Sequence, residues 1–224
     1  EIAEKCKLDD ELYSCWLNAA NNLIQDNNDE NKLLALRFYK ALKNEEKLIS
    51  LSEKYSSFSK KVKEKYCEVT GYGRLTSNNV VDCWVNGCFE RNPYSINAVL
   101  CIEDPSAIFY AYNIIIENNK LHEFYNSQGT FHVFYEIHLD KQFNILWNYN
   151  NSDGKKLITK IIASYIDNNL YINHGIICPI VKRILLEKEY GNMFVKCFGR
   201  EWKLKDIFDH FDEELVVNLD ENEE

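Results

Sequence analysis

The sequence predicts an α+β protein in which an N-terminal helical segment is followed by a small β-barrel. Two patterns support this. Apolar residues recur three or four positions apart in the first 65 residues, and they alternate with polar residues between positions 131 and 177. A chain of 224 residues is long enough to bury a core as one large domain or two small ones. We expect a helical segment (1–66), a linker or hairpin (67–94), a β-rich domain (95–217) and an acidic tail (218–224).

Three apolar stripes predict three helices in the first segment. The stripes are Leu8, Leu12, Trp16, Ala19 and Leu23; Leu34, Phe38 and Leu42; and Leu48, Leu51, Tyr55, Phe58 and Val62. The polar stretches NNDEN and KNEE separate the helices, and connections this short favour antiparallel neighbours. The segment is therefore predicted to be a helical bundle.

Residues 66–95 mix Gly and Asn turn signals with short apolar pieces, which indicates either a linker carrying a hairpin or the start of the next unit. Two β-rich runs then follow, INAVLCIED and AIFYAYNII, separated by a turn at Asp104-Pro105-Ser106. A helix containing Leu121, Phe124 and Tyr125 is predicted to end before Gly129. Two strands and a helix thus precede the barrel.

The barrel is predicted from four segments that alternate at period two. These segments are Phe131–Leu139, Gln142–Tyr149, Leu157–Ile166 and Asn169–Ile177. Closing such short antiparallel strands into a bent barrel removes exposed edges that invite aggregation. Residues 180–202 are then predicted as strand and turn, 203–211 as a short helix, and ELVVNL as a last strand.

The charge of the chain limits the classes of partner. A net charge of −9 and a pI near 5.2 argue against a general binder of phosphate backbones, which requires clustered Lys and Arg. A basic, Arg-containing partner fits this charge better. No run approaches eighteen apolar residues and no signal-peptide pattern opens the chain, so we predict a cytoplasmic location and no membrane partner.

Eight cysteines are spread irregularly along the chain, at positions 6, 15, 67, 83, 88, 101, 178 and 197. Several lie in apolar runs, where free Cys behaves as a small buried hydrophobe, so we predict reduced thiols in a cytosolic protein. Cys83 and Cys88 have the spacing to supply two zinc ligands, but no second pair at ligand spacing follows them. We therefore expect no metal and no cofactor.

Three short motifs accompany the predicted order of elements. Pro105 to Tyr110 gives Pro-x-x-x-Phe-Tyr, Asp140 to Phe143 gives Asp-x-x-aromatic, and Tyr171 to Gly175 reads YINHG. Over residues 95–217, these motifs and the element order resemble an extended Tudor domain, in which a Tudor barrel is inserted into a split, nuclease-derived β-barrel. The helical segment before residue 95 is not part of this resemblance.

The resemblance implies a non-catalytic interaction scaffold. Extended Tudor domains bind arginine-rich, often dimethylated segments of Piwi/Argonaute-type proteins, which implies a piRNA-pathway partner in cytoplasmic ribonucleoprotein granules. A methylarginine cage requires stacked aromatic rings and an Asn. The matching positions in this chain are His138, Phe143, Asn144, Tyr171, His174 and Ile176. Because His174 and Ile176 replace the motif's Tyr and Asn, methylarginine reading is predicted to be weakened or lost.

Two alternative functions remain open. The first is a papain-like cysteine protease, since Cys15 stands beside Trp16 early in the chain and His174 lies far downstream, in the chain order that this chemistry uses. A thiolate at a helix N-terminus would be stabilised by the helix dipole, but Leu8 and Leu12 indicate that the helix begins before Cys15.

The second alternative is single-stranded RNA binding by exposed aromatic rings of the barrel, such as Trp147 and Tyr149. Four lysines accompany these rings: Lys141, Lys155, Lys156 and Lys160. The barrel stretch holds no Arg and the rest of the chain is acidic, so direct contact with nucleic acid is not the favoured interpretation.

Overall fold

The structure is a computed structural model that describes residues 10–71, 75–121, 124, 132–150, 152–167, 183–197 and 199–206. The chain divides into two compact units, Glu1–Ile102 and Glu103–Glu224. Nearly all of the regular structure in the described residues is helical, and the strands form one two-stranded sheet. None of the described helices is long and apolar enough to span a membrane.

The first unit is a succession of short helices. In chain order they are α1 (Asp10–Leu23), α2 (Asp29–Ala41), α3 (Glu45–Ser50), a 3₁₀ turn (Leu51–Ser57), α4 (Lys60–Gly71), α5 (Asn78–Phe89) and α6 (Pro93–Leu100). Asn28, Asn44 and Asn92 precede α2, α3 and α6, and the side chain of each accepts a backbone N–H of the helix that follows. The polar connections predicted from the sequence therefore supply two of these caps, Asn28 and Asn44.

The helices of the first unit form a layered stack. α1 packs on α2, α2 on α4 and α4 on α6, while α5 packs against both α4 and α6. The largest fully buried side chains of this unit are Trp84, Tyr39, Tyr66 and Leu36. The hydroxyl of Tyr66 donates to the carbonyl of Leu48 at 2.9 Å, which satisfies the one polar atom of that side chain inside the core.

Helices α4, α5 and α6 approach each other closely. Trp84 Nε1 donates to Thr70 Oγ1 at 2.8 Å, and Thr70 Oγ1 in turn donates to the carbonyl of Tyr66 at 2.7 Å. A Cβ added at Gly87 would lie 2.0 Å from Ser95 Oγ, so the helices can meet here only because residue 87 lacks a side chain. A buried hydrogen bond and a glycine contact therefore fix this core.

The second unit has a helical part and a hairpin. Its elements are α7 (Pro105–Glu117), α8 (His132–Trp147), α9 (Asp153–Asp167), α10 (Lys188–Gly191), β1 (Phe194–Cys197) and β2 (Arg200–Lys203). β1 and β2 pair antiparallel, with Val195 opposite Trp202. α9 is central to the described part of this unit, since it packs on α7, α8, α10 and β1.

The prediction of a small β-barrel with flanking split-barrel elements is wrong. The first two predicted strands lie mostly within the single helix α8, and the third lies within α9. In α9, Leu157, Ile158, Ile161 and Ile162 are buried, which is the spacing of one helical face rather than of alternating strand faces. The fourth predicted strand, 169–177, lies outside the described residues.

The two β-rich runs before the barrel are also helices, α6 and α7. Each begins with a capping residue followed by Pro at the first helical position, namely Asn92-Pro93 and Asp104-Pro105. Asp104 Oδ1 accepts the backbone N–H of Ala107 at 2.9 Å, so the predicted turn at Asp104-Pro105 is instead a helix start. Capping and burial here outweigh the strand preference of β-branched and aromatic residues.

The segment predicted to be a linker or hairpin, 67–94, holds the end of α4 and all of α5. The predicted helices at α1 and α2 are confirmed, whereas the third stripe, Leu48 to Val62, is divided among α3, the 3₁₀ turn and α4. The strand and turn predicted for 180–202 correspond in part to the β1–β2 hairpin. Most of the predicted helix around Leu121 and the whole last strand lie outside the described residues.

A pair of cations lies over the ring of Trp147 in the second unit. Lys155 Nζ is 4.6 Å from the ring centroid and Arg183 Cζ is 4.2 Å from it. Lys155 also lies 5.3 Å from the ring of Tyr190 and forms an ion pair with Glu187 at 2.7 Å. This cluster joins α9 to the segment that contains α10.

Replacing Thr70 by Val should destabilise the first unit by about 1–3 kcal/mol, because the buried N–H of Trp84 loses its acceptor. Thr159→Val is the matched control: Thr159 is equally buried and makes the same bond to the carbonyl four residues earlier, at 2.9 Å. The control substitution should lower the free energy of unfolding by much less. Hydrogen exchange of peptides from α4 and α5 measures the effect of Thr70→Val and exchange of peptides from α9 measures that of the control; equal losses in the two variants would contradict this role for Thr70.

Lys155→Met should weaken the attachment of residues 183–197 by roughly 1–2 kcal/mol, since cation–π contacts and a half-buried ion pair are lost together. Lys141→Met is the control, because the Lys141–Glu103 pair is well exposed, at 54% and 61% of the two side chains. The control should change stability by about 0.5 kcal/mol or less. Hydrogen exchange in 183–197 distinguishes the variants, and unchanged exchange in Lys155→Met would disprove the attachment.

Candidate functional site

The described residues of the predicted cage lie on one helix, α8. Phe143 is fully buried in α8, with its ring 6.3 Å from that of Tyr112. Asn144 is exposed on the same helix and accepts a hydrogen bond from Arg183 Nη1 at 3.0 Å. His138 is half-buried in α8. The other predicted cage residues, Tyr171, His174 and Ile176, lie outside the described residues.

The aromatic rings considered for RNA stacking are engaged within the protein. Trp147 is buried beneath its two cations, and Tyr149 packs against Phe109 with ring centroids 5.1 Å apart. Among the four lysines, Lys141 and Lys155 form ion pairs with carboxylates. This arrangement gives no observation in favour of an RNA surface.

The predicted protease nucleophile, Cys15, is exposed and lies inside α1, five residues after Asp10. Stabilisation of a thiolate by a helix dipole is confined to the first turn, so α1 does not provide it for Cys15. The predicted partner, His174, lies outside the described residues. The geometry available therefore adds nothing to the protease hypothesis.

Cys67, Cys83 and Cys88 of the first unit are buried in the core, as predicted for Cys83 and Cys88, whereas Cys101, which lies in an apolar run, is half-buried. Burial raises the pKa of all three thiols, in the case of Cys83 to about 12. Cys83 Sγ donates to the carbonyl of Ser52 at 3.7 Å. In the part of the chain that the structure describes, no group of three or more His, Cys, Asp or Glu residues could hold a metal ion.

A cavity of about 300 Å³ opens between the 3₁₀ turn and α5, in the first unit. Its lining residues, which define what we call the acidic cavity, are Ser52, Glu53, Tyr55, Ser56, Asn79, Asp82, Cys83 and Asn86. The volume is at the lower end of the range of about 300–1,000 Å³ for small-molecule sites. The acidic cavity therefore suits one side chain or a small ligand rather than a large cofactor.

The spacing of residues in the two walls explains how the acidic cavity forms. Along α5, residues 79, 82, 83 and 86 are three or four positions apart, so they share one face of the helix. The opposite face of α5, with Val80, Trp84 and Cys88, is buried in the core. In the 3₁₀ turn, Ser52 and Tyr55 are buried while Glu53 and Ser56 are exposed. The hydrogen bond from Cys83 to Ser52 joins the two walls.

The acidic cavity has an uneven distribution of charge. The described residues of its lining include the carboxyl groups of Glu53 and Asp82, and none of these described residues is Lys, Arg or His. Lys54, the neighbour of Glu53 in the chain, donates to Gln25 Oε1 at 3.4 Å. The remaining lining groups are hydroxyls, amides, a phenol and a thiol, so the acidic cavity combines acceptors of hydrogen bonds with negative charge.

The phenol and the thiol in the acidic cavity are neutral. Burial, followed by the neighbouring Cys67, raises the pKa of Tyr55 well above its usual range. The hydroxyl of Tyr55 lies 3.5 Å from Cys67 Sγ, at hydrogen-bond distance for sulfur. The raised pKa of Cys83 likewise keeps its thiol protonated at neutral pH, and a protonated thiol is a poor nucleophile. These two groups are thus suited to binding rather than to nucleophilic attack.

Comparisons with protein families, with curated proteins and with solved structures give no match to this chain. The acidic cavity was not predicted from the sequence, because α5 was predicted to be a linker or hairpin. The helical spacing of Asn79, Asp82 and Asn86 was the available signal.

The rate of alkylation should distinguish the exposed Cys15 from the three buried cysteines of the first unit. Cys15 should react with iodoacetamide in the native chain at pH 8, while Cys67, Cys83 and Cys88 should react at least about 100-fold more slowly, because they are buried and protonated. Peptide mass spectrometry after timed quenching measures each rate, with the chain in urea as the control. Rapid native labelling of Cys83 would show that its thiol is open to the acidic cavity.

The raised pKa of Cys83 also predicts how stability depends on pH. An unfolded thiol ionises near its ordinary value of 9.0, but the folded thiol ionises only near 12. The stability contributed by the neutral thiol is therefore complete below pH 9 and is lost as the pH rises from 9 to 12. Urea unfolding across this range should show a smaller loss in Cys83→Ala than in the wild type.

Proposed function

We propose that this chain is a non-catalytic interaction module that binds a segment of a protein partner, with the acidic cavity as its main contact site. The observation that carries the proposal is an open cavity of about 300 Å³ in which the exposed side chains of Glu53, Asn79 and Asn86 accompany a neutral phenol and a neutral thiol. Such a lining binds a ligand through charge and hydrogen bonds without supplying an activated nucleophile.

The stacked helices of the first unit support this function. Because α5 is fixed against α4 and α6 by the Trp84–Thr70 hydrogen bond and by the contact at Gly87, the cavity wall is held in place before a ligand arrives. A preformed wall reduces the entropy cost of binding. The free thiols of the described cysteines are in keeping with a cytoplasmic location, which we include in the proposal.

The proposal replaces the methylarginine cage. That cage required a β-barrel, and its described positions lie in helix α8, where Phe143 is buried. An arginine-containing partner, expected from the acidic charge of the chain, remains part of the proposal.

Selection of peptides from a random phage-displayed library on the immobilised chain tests this function. The variant Asn86→Trp places a large ring on the exposed face of α5 and should block the acidic cavity. Asn22→Trp is the matched control, an exposed helical Asn in α1 of the same unit. A peptide class retained by the wild type and by Asn22→Trp, but lost from Asn86→Trp, is expected. Selection that enriches no such class would refute the proposal.

A further inference from the structure

We propose that the outer side of helices α1 and α2 binds a second copy of this chain, so that the protein forms a symmetric dimer through its first unit. This surface shares none of the described lining residues of the acidic cavity. It consists of two rows of side chains, which together define what we call the two-helix face: Leu12, Trp16 and Ala19 of α1, and Leu34, Phe38 and Ala41 of α2.

The two-helix face is apolar and open to solvent. Leu12 and Leu34 are exposed by 47% and 41%, Ala19 is also exposed, and the other three residues of the face are half-buried. Among the residues of α1, all of which the structure describes, only Ala20 is buried. The first unit therefore covers little of the apolar side of α1, and a contiguous apolar surface of this kind is typical of an interaction site.

The two rows have the same pattern and run in opposite directions. Each row is a Leu, an aromatic residue four positions later and an Ala three positions after that, which places its members on one side of the helix. The rings of Trp16 and Phe38 meet in the middle of the rows, with centroids 5.3 Å apart. Asn44, just past α2, donates to the hydroxyl of Tyr13, near the start of α1, at 3.2 Å, so the helices are antiparallel. The Ala end of each row therefore lies beside the Leu end of the other.

This pattern is complementary to itself. A two-fold axis parallel to the helices would stack α1 of one copy on α2 of the other in antiparallel orientation, with the aromatic rings at the centre. Ala41 of the second copy would then lie opposite Leu12, and Leu34 of the second copy would lie opposite Ala19. Because a small residue faces a large one at both ends of each row, the two copies can approach closely.

The charge and size of the two-helix face also fit a second copy. Glu11 and Lys43 are exposed beside the face, and the same axis places Glu11 of one copy opposite Lys43 of the other. Since α1 has 14 residues and neighbouring helices lie about 8–10 Å apart, the face measures roughly 20 Å by 20 Å. Covering it on both copies would bury on the order of 1,000 Å², near the lower limit for a specific interface. The expected dimer is therefore reversible, with a dissociation constant of about 10 µM.

Analytical ultracentrifugation of the full chain over a range of concentrations tests this inference. The wild type should pass from monomer to dimer, and Leu34→Glu should weaken association by at least about tenfold, because it places a charge in an apolar interface. Leu186→Glu is the matched control: Leu186 is 75% exposed and lies in the second unit, so the same substitution there should leave association unchanged. Circular dichroism checks that both variants stay folded.

A second variant tests the complementary shape of the two copies. Ala19→Phe makes the two-helix face more apolar, but it removes the small residue that lies opposite Leu34 of the second copy. It should therefore weaken the dimer by about tenfold, whereas general apolar adhesion would be strengthened.

Four results would overturn the inference. They are a monomer at every concentration, an assembly larger than a dimer, equal effects of Leu34→Glu and Leu186→Glu, and unchanged or tighter association of Ala19→Phe.

Discussion

The contact between α5 and α6 at Gly87 is the constraint on which the first unit depends. A Cβ at this position would lie 2.0 Å from Ser95 Oγ and 3.0 Å from the hydroxyl of Tyr55. Because three elements meet at one residue without a side chain, the position of α5 relative to α6 also determines the position of the 3₁₀ turn. Both walls of the acidic cavity therefore follow from a core contact, which links the stability of the unit to the shape of its binding site.

The sequence predicted the first helices well because their apolar residues repeat clearly and their connections are polar. The faces were predicted less well: Leu12 and Leu34, both placed in apolar stripes, are exposed, whereas Leu33 and Leu36 are buried. Helices α6 to α9 were predicted to be strands because they are rich in Ile, Val, Phe and Tyr, residues that favour strands. Tertiary burial and the caps at Asn92 and Asp104 outweigh that preference.

The ends of several helices could not be predicted from the sequence for a second reason. Lys43, Arg91 and Asn119 follow α2, α5 and α7 with positive φ values of 52°, 59° and 52°, at positions where glycine is the usual signal. After each, a backbone N–H returns to a carbonyl five residues earlier, as from Asn92 to Gly87 at 2.9 Å. Because lysine and arginine give no such signal, the end of α5 could not be predicted, and the acidic cavity was missed with it.

The reactivity of the three buried thiols reports on the opening of the first unit. Cys67, Cys83 and Cys88 are protected only while α4, α5 and α6 remain packed, since an opened chain returns each thiol to its ordinary acidity. At a given concentration of oxidant, their oxidation in air or by peroxide should then proceed at a rate proportional to the population of opened molecules. Ageing of the protein in storage would accordingly follow the free energy of this core, and a ligand that closes the cavity would slow it.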